Sequence, residues 1–259
     1  TGAKIGPGIK LLLRLRPVFA PKYGLNLQVD AIDSEYTLGD LEARKREIRR
    51  RLQTEGIFKL NKELPQAWDY NAVLVIAPEG AAGLGDFKAE ATRLQVAGLC
   101  RFVYVHSRFQ GESAAASIRV AWLQALDEWD GELPDAAVII RGGGAVNDLA
   151  WLNDYELARC VCEAPLPVLT GIGHERDNTI LDEVAHTRFD TPSKVIHGIE
   201  AVIRQRAKEA QQLYETVTSM AQQATQRCRL TSENAHAQVK EAARHQLATA
   251  HREIEANLG

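Results

Sequence analysis

Four short apolar runs decide most of what this chain can fold into. They are Ala72-Val73-Leu74-Val75-Ile76-Ala77, Phe102-Val103-Tyr104-Val105, Ala136-Ala137-Val138-Ile139-Ile140 and Pro167-Val168-Leu169-Thr170. None shows the polar–apolar alternation of a strand with one wet face. Continuous runs of this kind belong to strands buried on both faces, as in parallel sheets. Helical patterns over 87–97, 113–129 and 147–163 separate them. Strands alternating with helices predict an α/β domain over 66–194, with a parallel sheet and right-handed crossovers.

The flanks follow other periods. In residues 9–32, Ile9, Leu11, Leu13 and Leu15 share one face and Leu25, Leu27 and Val29 form a second row, with Pro17, Pro21 and Gly24 between them. This predicts a hairpin or meander, too short to close a barrel alone. Residues 38–55 read as a helix with Leu38, Leu41, Ile48 and Leu52 as its apolar positions. Its other face carries Arg44, Lys45, Arg46, Arg49, Arg50 and Arg51. That face suits phosphates, or it is a solvated face paired with Asp40, Glu42 and Glu47. No proline follows Pro192, and no glycine lies between Gly198 and Gly259. Residues 195–258 therefore read as one helix, about 96 Å long if straight. Its Ala-rich apolar stripe, spaced three to four residues apart from Ile199 to Leu258, is coiled-coil-like and wants a partner helix.

The 259 residues are enough for one large domain or two smaller ones. The formal net charge of −3 excludes a uniformly basic nucleic-acid coat protein. The average hides a layout. Residues 1–66 hold 13 basic and 8 acidic side chains, 67–197 hold 10 and 19, and 198–259 hold 8 and 7. A basic part thus precedes an acidic one, a pattern compatible with polyanion contact. No run of about 18 apolar residues marks a membrane span and no signal peptide is legible. The single methionine is Met220, so the chain reads as processed or as a fragment. Cys100, Cys160, Cys162 and Cys228 lack zinc spacing, which implies idle or buried thiols in a reducing, cytoplasmic setting.

In open α/β sheets, ligands bind beyond the carboxyl ends of the strands. Here those ends run into 77–86, His106-Ser107-Arg108-Phe109-Gln110-Gly111, Arg141-Gly142-Gly143-Gly144 and Gly171-Ile172-Gly173-His174-Glu175-Arg176-Asp177. Three glycines between a buried strand and a helix let backbone N–H groups converge on an anion, and Arg141 adds a two-pronged phosphate donor. A tight turn needs fewer glycines than this. His174 follows two glycines at a strand end, and Asp177 three residues later can orient it as a general acid or base. Asp86 is either a helix N-cap or a carboxylate facing the same crevice. Thr191 and Ser193 read as caps of the long helix, and Arg188 just before them is a candidate for the phosphate site. Glu175 and Asp182 can be ordinary first-turn helix acids.

In this order, the turns resemble the large subunit family of exodeoxyribonuclease VII. The shared features are Asp86, Gln110-Gly111, Arg141-Gly142-Gly143-Gly144 with Asp148-Leu149, Gly173-His174-Glu175 with Asp177, and Arg188 with Thr191-Pro192-Ser193. Glu55-Gly56-Ile57-Phe58 looks like the family's Glu-Gly-Leu-Phe, and the resemblance runs from about residue 20 to 200. Departures are Ala145 and Asn147 where the family has Ser and Glu, Ala77-Pro78 for Thr-Ser, His186 and Phe189 for Asp and Ala, and Val195-Ile196-His197 for an Ala-Ala-Glu-like stretch.

The resemblance implies the end of an OB-fold over 1–38, a basic helical linker over 39–65, a catalytic α/β domain over 66–194 and a truncated coiled coil over 195–259. It implies hydrolysis of single-stranded DNA from both ends to oligonucleotides, in DNA repair and DNA catabolism. Asp86, Arg141, His174 and Asp177 take the catalytic places. Gly142, Gly143, Gly144 and Arg188 would bind phosphate, and Arg44, Lys45, Arg49 and Arg50 would guide the strand. No cofactor is required and no metal constellation is legible, although Mg2+ is admitted. The implied partners are single-stranded DNA and small helical subunits on the C-terminal helix, with no membrane. The rival readings are a weakened homologue that binds single-stranded DNA or scaffolds without cutting, and an unrelated α/β protein that binds a phosphate ligand.

Overall fold

The computed structural model describes residues 12–80, 84–142, 149–173 and 178–258. The first elements are strands β1 (Leu12–Ala20) and β2 (Gly24–Asp33), paired antiparallel as a hairpin. Leu15 lies opposite Val29 and Phe19 opposite Leu25, and a bulge falls between Arg14 and Leu15, where the partner steps from Ala31 to Val29. Leu13, Leu15, Leu25, Leu27 and Val29 of the expected apolar rows fall on this hairpin, where Phe19, Leu25 and Leu27 are exposed, and Ile9 and Leu11 lie outside the described residues. Among the described residues, this sheet has two strands and no barrel closes around it.

Helix α1 (Ser34–Thr54) follows, starting four residues before the apolar pattern. Then come β3 (Ala72–Ala77), α2 (Leu84–Val96), β4 (Arg101–His106), α3 (Ala114–Asp127) and β5 (Ala136–Ile140). A 3-10 turn (Ala150–Leu152), α4 (Tyr155–Cys162), β6 (Val168–Gly171), α5 (Ile180–Val184), β7 (Thr187–Arg188) and α6 (Pro192–Leu258) complete the chain. The five strands from β3 onward form one sheet in the order β4-β3-β5-β6-β7, every pair parallel. The four apolar runs became its four long strands. The fifth, β7, spans two residues and has no apolar run to announce it.

Strand β3 sits inside the sheet, and the chain leaves it in both directions. It goes out to β4 through α2, then returns past β3 to β5 through α3. Crossovers of one hand in opposite directions put their helices on opposite faces. The buried side chains divide accordingly. Leu74, Ile76, Ala137 and Ile139 pack with Ile48 and Leu52 of α1, Ile118 and Trp122 of α3, and Leu157 and Val161 of α4. Val73, Val75, Val138 and Ile140 pack with Phe87 and Leu94 of α2 and with Val195, Ile196, Ile199 and Ile203 of α6. Helix α1, expected as a linker helix, thus supplies part of the core.

The chain separates into two compact units, residues 1–204 and 205–259. Helix α6 begins three residues earlier than its apolar pattern. Thr191 Oγ1 accepts the Lys194 N–H at 3.2 Å, which makes Thr191 the N-cap and puts Pro192 at the first helical position, where proline is favoured. Ser193, expected as a cap, is already inside the helix. In the second unit, Leu213, Val217, Met220, Val239, Leu247 and Ile254 are all exposed. This stretch is a single helix held by its own i,i+4 pairs, such as Arg229 with Glu233.

One buried amide ties the segment after α1 to the edge of the sheet. Asn61 is fully buried. Its Nδ2 donates to the carbonyls of Leu166 at 2.9 Å and Ala164 at 3.4 Å. Its Oδ1 accepts the N–H groups of Val168 and His186, both at 3.0 Å. The His186 ring adds a bond from Nε2 to the Leu64 carbonyl at 3.1 Å, so Nε2 carries the proton and Nδ1 accepts from the Thr187 hydroxyl at 2.8 Å. Replacing Asn61 by Ala strands two buried donors and two acceptors. A buried polar group left unpaired costs about 1–3 kcal/mol. The expected loss for Asn61→Ala is at least about 3 kcal/mol, read as a lowered denaturant midpoint with unchanged slope.

Candidate active site

The carboxyl ends of β3, β4 and β5 open into one crevice of about 720 Å³, lined by Pro78, Glu79, His106 to Gln110, Ser117, Arg141 and Gly142. This is the size of a small-ligand site. It lies where the chain's path across the sheet reverses, between β3 and β5, the position at which open α/β sheets hold their ligands.

Each wall follows from the local sequence. After β3, Gly80 adopts φ +69°, which turns the chain away from the strand. After β4, the Ser107 N–H donates to the Ala77 carbonyl at 3.1 Å, which carries the ladder one residue past the strand. The Ser107 and Ser117 hydroxyls lie 2.9 Å apart, and Ser117 Oγ also accepts the Arg108 N–H at 3.4 Å. The first turn of α3 therefore holds this loop in place. After β5, the Arg141 N–H donates to the Gly171 carbonyl at 3.3 Å. Arg141 is 5% exposed, a guanidinium almost wholly inside the protein at the mouth of a central strand.

Of the catalytic candidates, Arg141 lines the crevice and Gly142 is buried beside it. Asp86 is exposed in the first turn of α2, two residues inside the helix rather than at its N-cap. It gains from the helix dipole there. His174, Asp177, Gly143 and Gly144 lie outside the described residues. Arg188 is in β7, beside Thr170 of β6, with Asp190 at 3.7 Å.

The basic face of α1 divides in two. Lys45 is buried and donates to the Asn178 carbonyl at 3.0 Å. Arg49 grips both carboxylate oxygens of Glu183 in α5, at 2.6 and 2.7 Å, and this holds its guanidinium above the usual arginine range. Arg50 pairs with Glu47, and Arg51 lies 3.4 Å over the Tyr155 ring. Arg44 is exposed. Lys45 and Arg49 thus reach Asn178 and helix α5, which follow residues 174–177 in sequence. Those residues are anchored further. Thr179 and Asp182 form a capping box, and Asn153 Oδ1 accepts the Ile180 N–H at 2.8 Å. Asp182 is accordingly the first-turn helix acid the sequence suggested.

Two glycines set the approach of α6 to the sheet. A Cβ on Gly171 would come within 2.6 Å of Val195 Cγ2 and 3.1 Å of the Thr191 carbonyl oxygen. A Cβ on Gly198 would meet the Phe189 ring at 2.6 Å.

His106, Ser107, Arg108 and Ser117 line the crevice without having been assigned a role by the sequence. The first three carry a signal, since they directly follow an apolar strand. Ser117 lies mid-pattern in a helix and only the fold brings it here. Among the described residues no three His, Cys, Asp or Glu side chains gather as metal ligands. No described helix is long and apolar enough to cross a membrane.

The cysteines are not nucleophiles of this site. Burial pushes the Cys100 and Cys162 thiols up to about 12 and the Cys160 thiol up to about 11. Cys228 is exposed and all four are free. Thiolate is the reacting form. A thiol-specific chromogenic reagent at pH 8 should therefore modify Cys228 rapidly in the native protein, and the other three only after unfolding.

The family described as "Exonuclease VII, large subunit" matches residues 57–258. The exodeoxyribonuclease 7 large subunit of Deinococcus radiodurans is 46% identical over 221 residues, 85% of this chain and 53% of that protein. That of Campylobacter lari is 36% identical over 163 residues, 63% of this chain and 41% of its own length. That of Streptomyces griseus is 30% identical over 208 residues, 80% of this chain and 50% of its own. The chain thus spans about half the length of these curated relatives.

Proposed function

This chain belongs to the exonuclease VII large-subunit family, and from that membership we propose that it hydrolyses phosphodiester bonds of single-stranded DNA from both ends, releasing oligonucleotides. The observation that carries the reading is Arg141, a buried guanidinium facing a crevice at the carboxyl end of the central strands. A fork donor so placed suits a phosphate whose equatorial oxygens gain charge in the transition state.

The proposed division of labour follows the motifs. Arg141 and the backbone amides of Gly142, Gly143 and Gly144 hold the scissile phosphate, with Arg188 assisting from β7. Asp86 takes a proton from a water as that water attacks phosphorus. The bond from phosphorus to the leaving oxygen breaks, and His174, oriented by Asp177, protonates that oxygen. If a divalent ion is used, Asp86 would hold it instead of activating the water directly. The strand approaches over the exposed side chains of α1. Arg44 is the first candidate there and Arg50, exposed beside its helix neighbour Glu47, the second, because Lys45 and Arg49 are engaged away from the helix with Asn178 and Glu183.

The proposed organisation keeps four parts. They are an OB-like segment over 1–38, a basic helical linker over 39–65, a catalytic domain over 66–194 and a C-terminal helix over 195–259. The hairpin of β1 and β2 supports the first part. The exposed apolar side chains of 205–258 support the last as a surface for small helical subunits.

Removing one oxyanion donor typically costs about 100- to 1,000-fold in rate. Arg141→Lys keeps the charge but loses the fork, and should slow shortening of end-labelled single-stranded DNA by about 100-fold or more. His174→Ala should abolish cleavage while leaving circular dichroism and the melting temperature unchanged. Wild-type turnover by His174→Ala defeats the assignment. Oligonucleotide binding without shortening by the wild-type chain identifies a non-cutting homologue instead.

A further inference from the structure

We propose that His106 and Arg108, on the loop after β4, form a second phosphate subsite, which holds the backbone phosphate next to the one at Arg141. The proposal rests on the reading of the crevice as a single-stranded DNA site.

Both side chains line the same crevice as Arg141, and both are exposed. They therefore stand in water until a ligand arrives, unlike Arg141, which is already enclosed. The backbone beneath them is fixed from two sides. The Ser107 N–H donates to the Ala77 carbonyl of β3, and the Ser117 hydroxyl of α3 takes the Arg108 N–H and meets the Ser107 hydroxyl. A long side chain on an anchored loop can be aimed without ordering the loop first, which lowers the entropy lost on binding.

Charge points the same way. Arg49, Arg50, Arg51 and Arg93 each have a carboxylate partner. Among the described residues no carboxylate pairs with Arg108. Glu79 is the single acid among the described lining residues, set against two arginines and a histidine. Guanidinium recognises phosphate by a two-pronged contact, and each neutralised phosphate releases counterions.

The wall favours backbone over base. Phe109 is the one aromatic ring among the described lining residues apart from the His106 imidazole, and it is only 3% exposed, tucked into the core. Base stacking needs an open aromatic face. Two arginines and no such phenyl or indole face among the described lining residues suit the sugar–phosphate chain whatever its base sequence. Arg108 then acts as a positioning residue, holding the strand so that the neighbouring phosphate meets Arg141.

The test measures binding of a fluorescein-labelled oligothymidylate by the full chain across a salt series, with end-label cleavage assayed in parallel. Arg108→Gln should weaken binding by about 3- to 30-fold at low salt and flatten the log–log salt slope by about one. His106→Gln should weaken binding in the same direction. Arg108→Lys should restore the slope without the full affinity. Arg159→Gln, on α4, should match the wild type. In cleavage, Arg108→Gln should raise KM more than it lowers kcat.

Unchanged affinity and slope in Arg108→Gln, with cleavage by the wild type intact, overturn the subsite and leave the nuclease reading standing. Binding that depends on Arg108 without any shortening overturns the nuclease reading and leaves the subsite standing. A wild-type chain that neither binds nor cuts the oligonucleotide overturns both.

Discussion

The sheet must cover both of its faces, and the rest of the structure answers to that constraint. Val73 to Ala77 and Ala136 to Ile140 are wholly buried, with side chains alternating between two separate cores. Fully burying one such aliphatic side chain is worth about 1.5–3 kcal/mol, so neither face can be left wet. Helices α2 and α3 cover part of each, and they cannot cover all of it. Helix α1 joins α3, α4 and α5 on one side through Ile48 and Leu52. The first turns of α6 join α2 on the other through Val195, Ile196, Ile199 and Ile203. The same arrangement points every strand of the sheet one way, so the turns after β3, β4 and β5 meet at one edge.

The crevice at that edge gathers cations in a domain that is acidic on average. Residues 67–197 carry nine more acidic than basic side chains. Several of those acids are committed to partners, including Glu183 to Arg49, Glu90 to Arg93, and Glu156 to Arg119. Exposed charges more than about 8–10 Å apart are largely screened at physiological salt. The groups lining the crevice therefore outweigh the distant excess. Those groups are mainly donors: Arg108, Arg141, the His106 ring and the serines.

The departures from the family pattern have structural counterparts. His186 is part of the polar clamp around Asn61, donating to the Leu64 carbonyl. Phe189 packs where Gly198 leaves room for its ring, and Val195 packs where Gly171 does. Val195 and Ile196 are buried side chains of the second core. For Ala145 and Asn147, which lie outside the described residues, there is no such account.

How much of this was legible in the residues varies with the range of the interaction. The four long strands, helices α2 and α3, the hairpin and the long helix were readable because periodicity and glycine or proline punctuation are local, whereas the helix expected over 147–163 is a 3-10 turn and then the shorter α4, which Asp154 caps. The chemistry-bearing turns after β4 and β5 were readable because strand ends in open sheets are where ligands sit. Strand β7 was not, since two residues carry no period and need Leu169 and Thr170 beside them to become a strand. The clamp by Asn61, the role of Ser117, the true start of α2 and the commitment of Lys45 and Arg49 to the α5 region were not readable either. Asn61 and His186 are 125 residues apart, and Arg49 and Glu183 are 134 apart. The residues by themselves determined that the chain holds a parallel α/β sheet, which segments rich in glycine, arginine and histidine follow at the strand ends, and a helix beyond it. Only the tertiary structure decided which cations face the crevice and which hold the core together, because a basic face on a helix looks the same in sequence until another segment supplies its carboxylates.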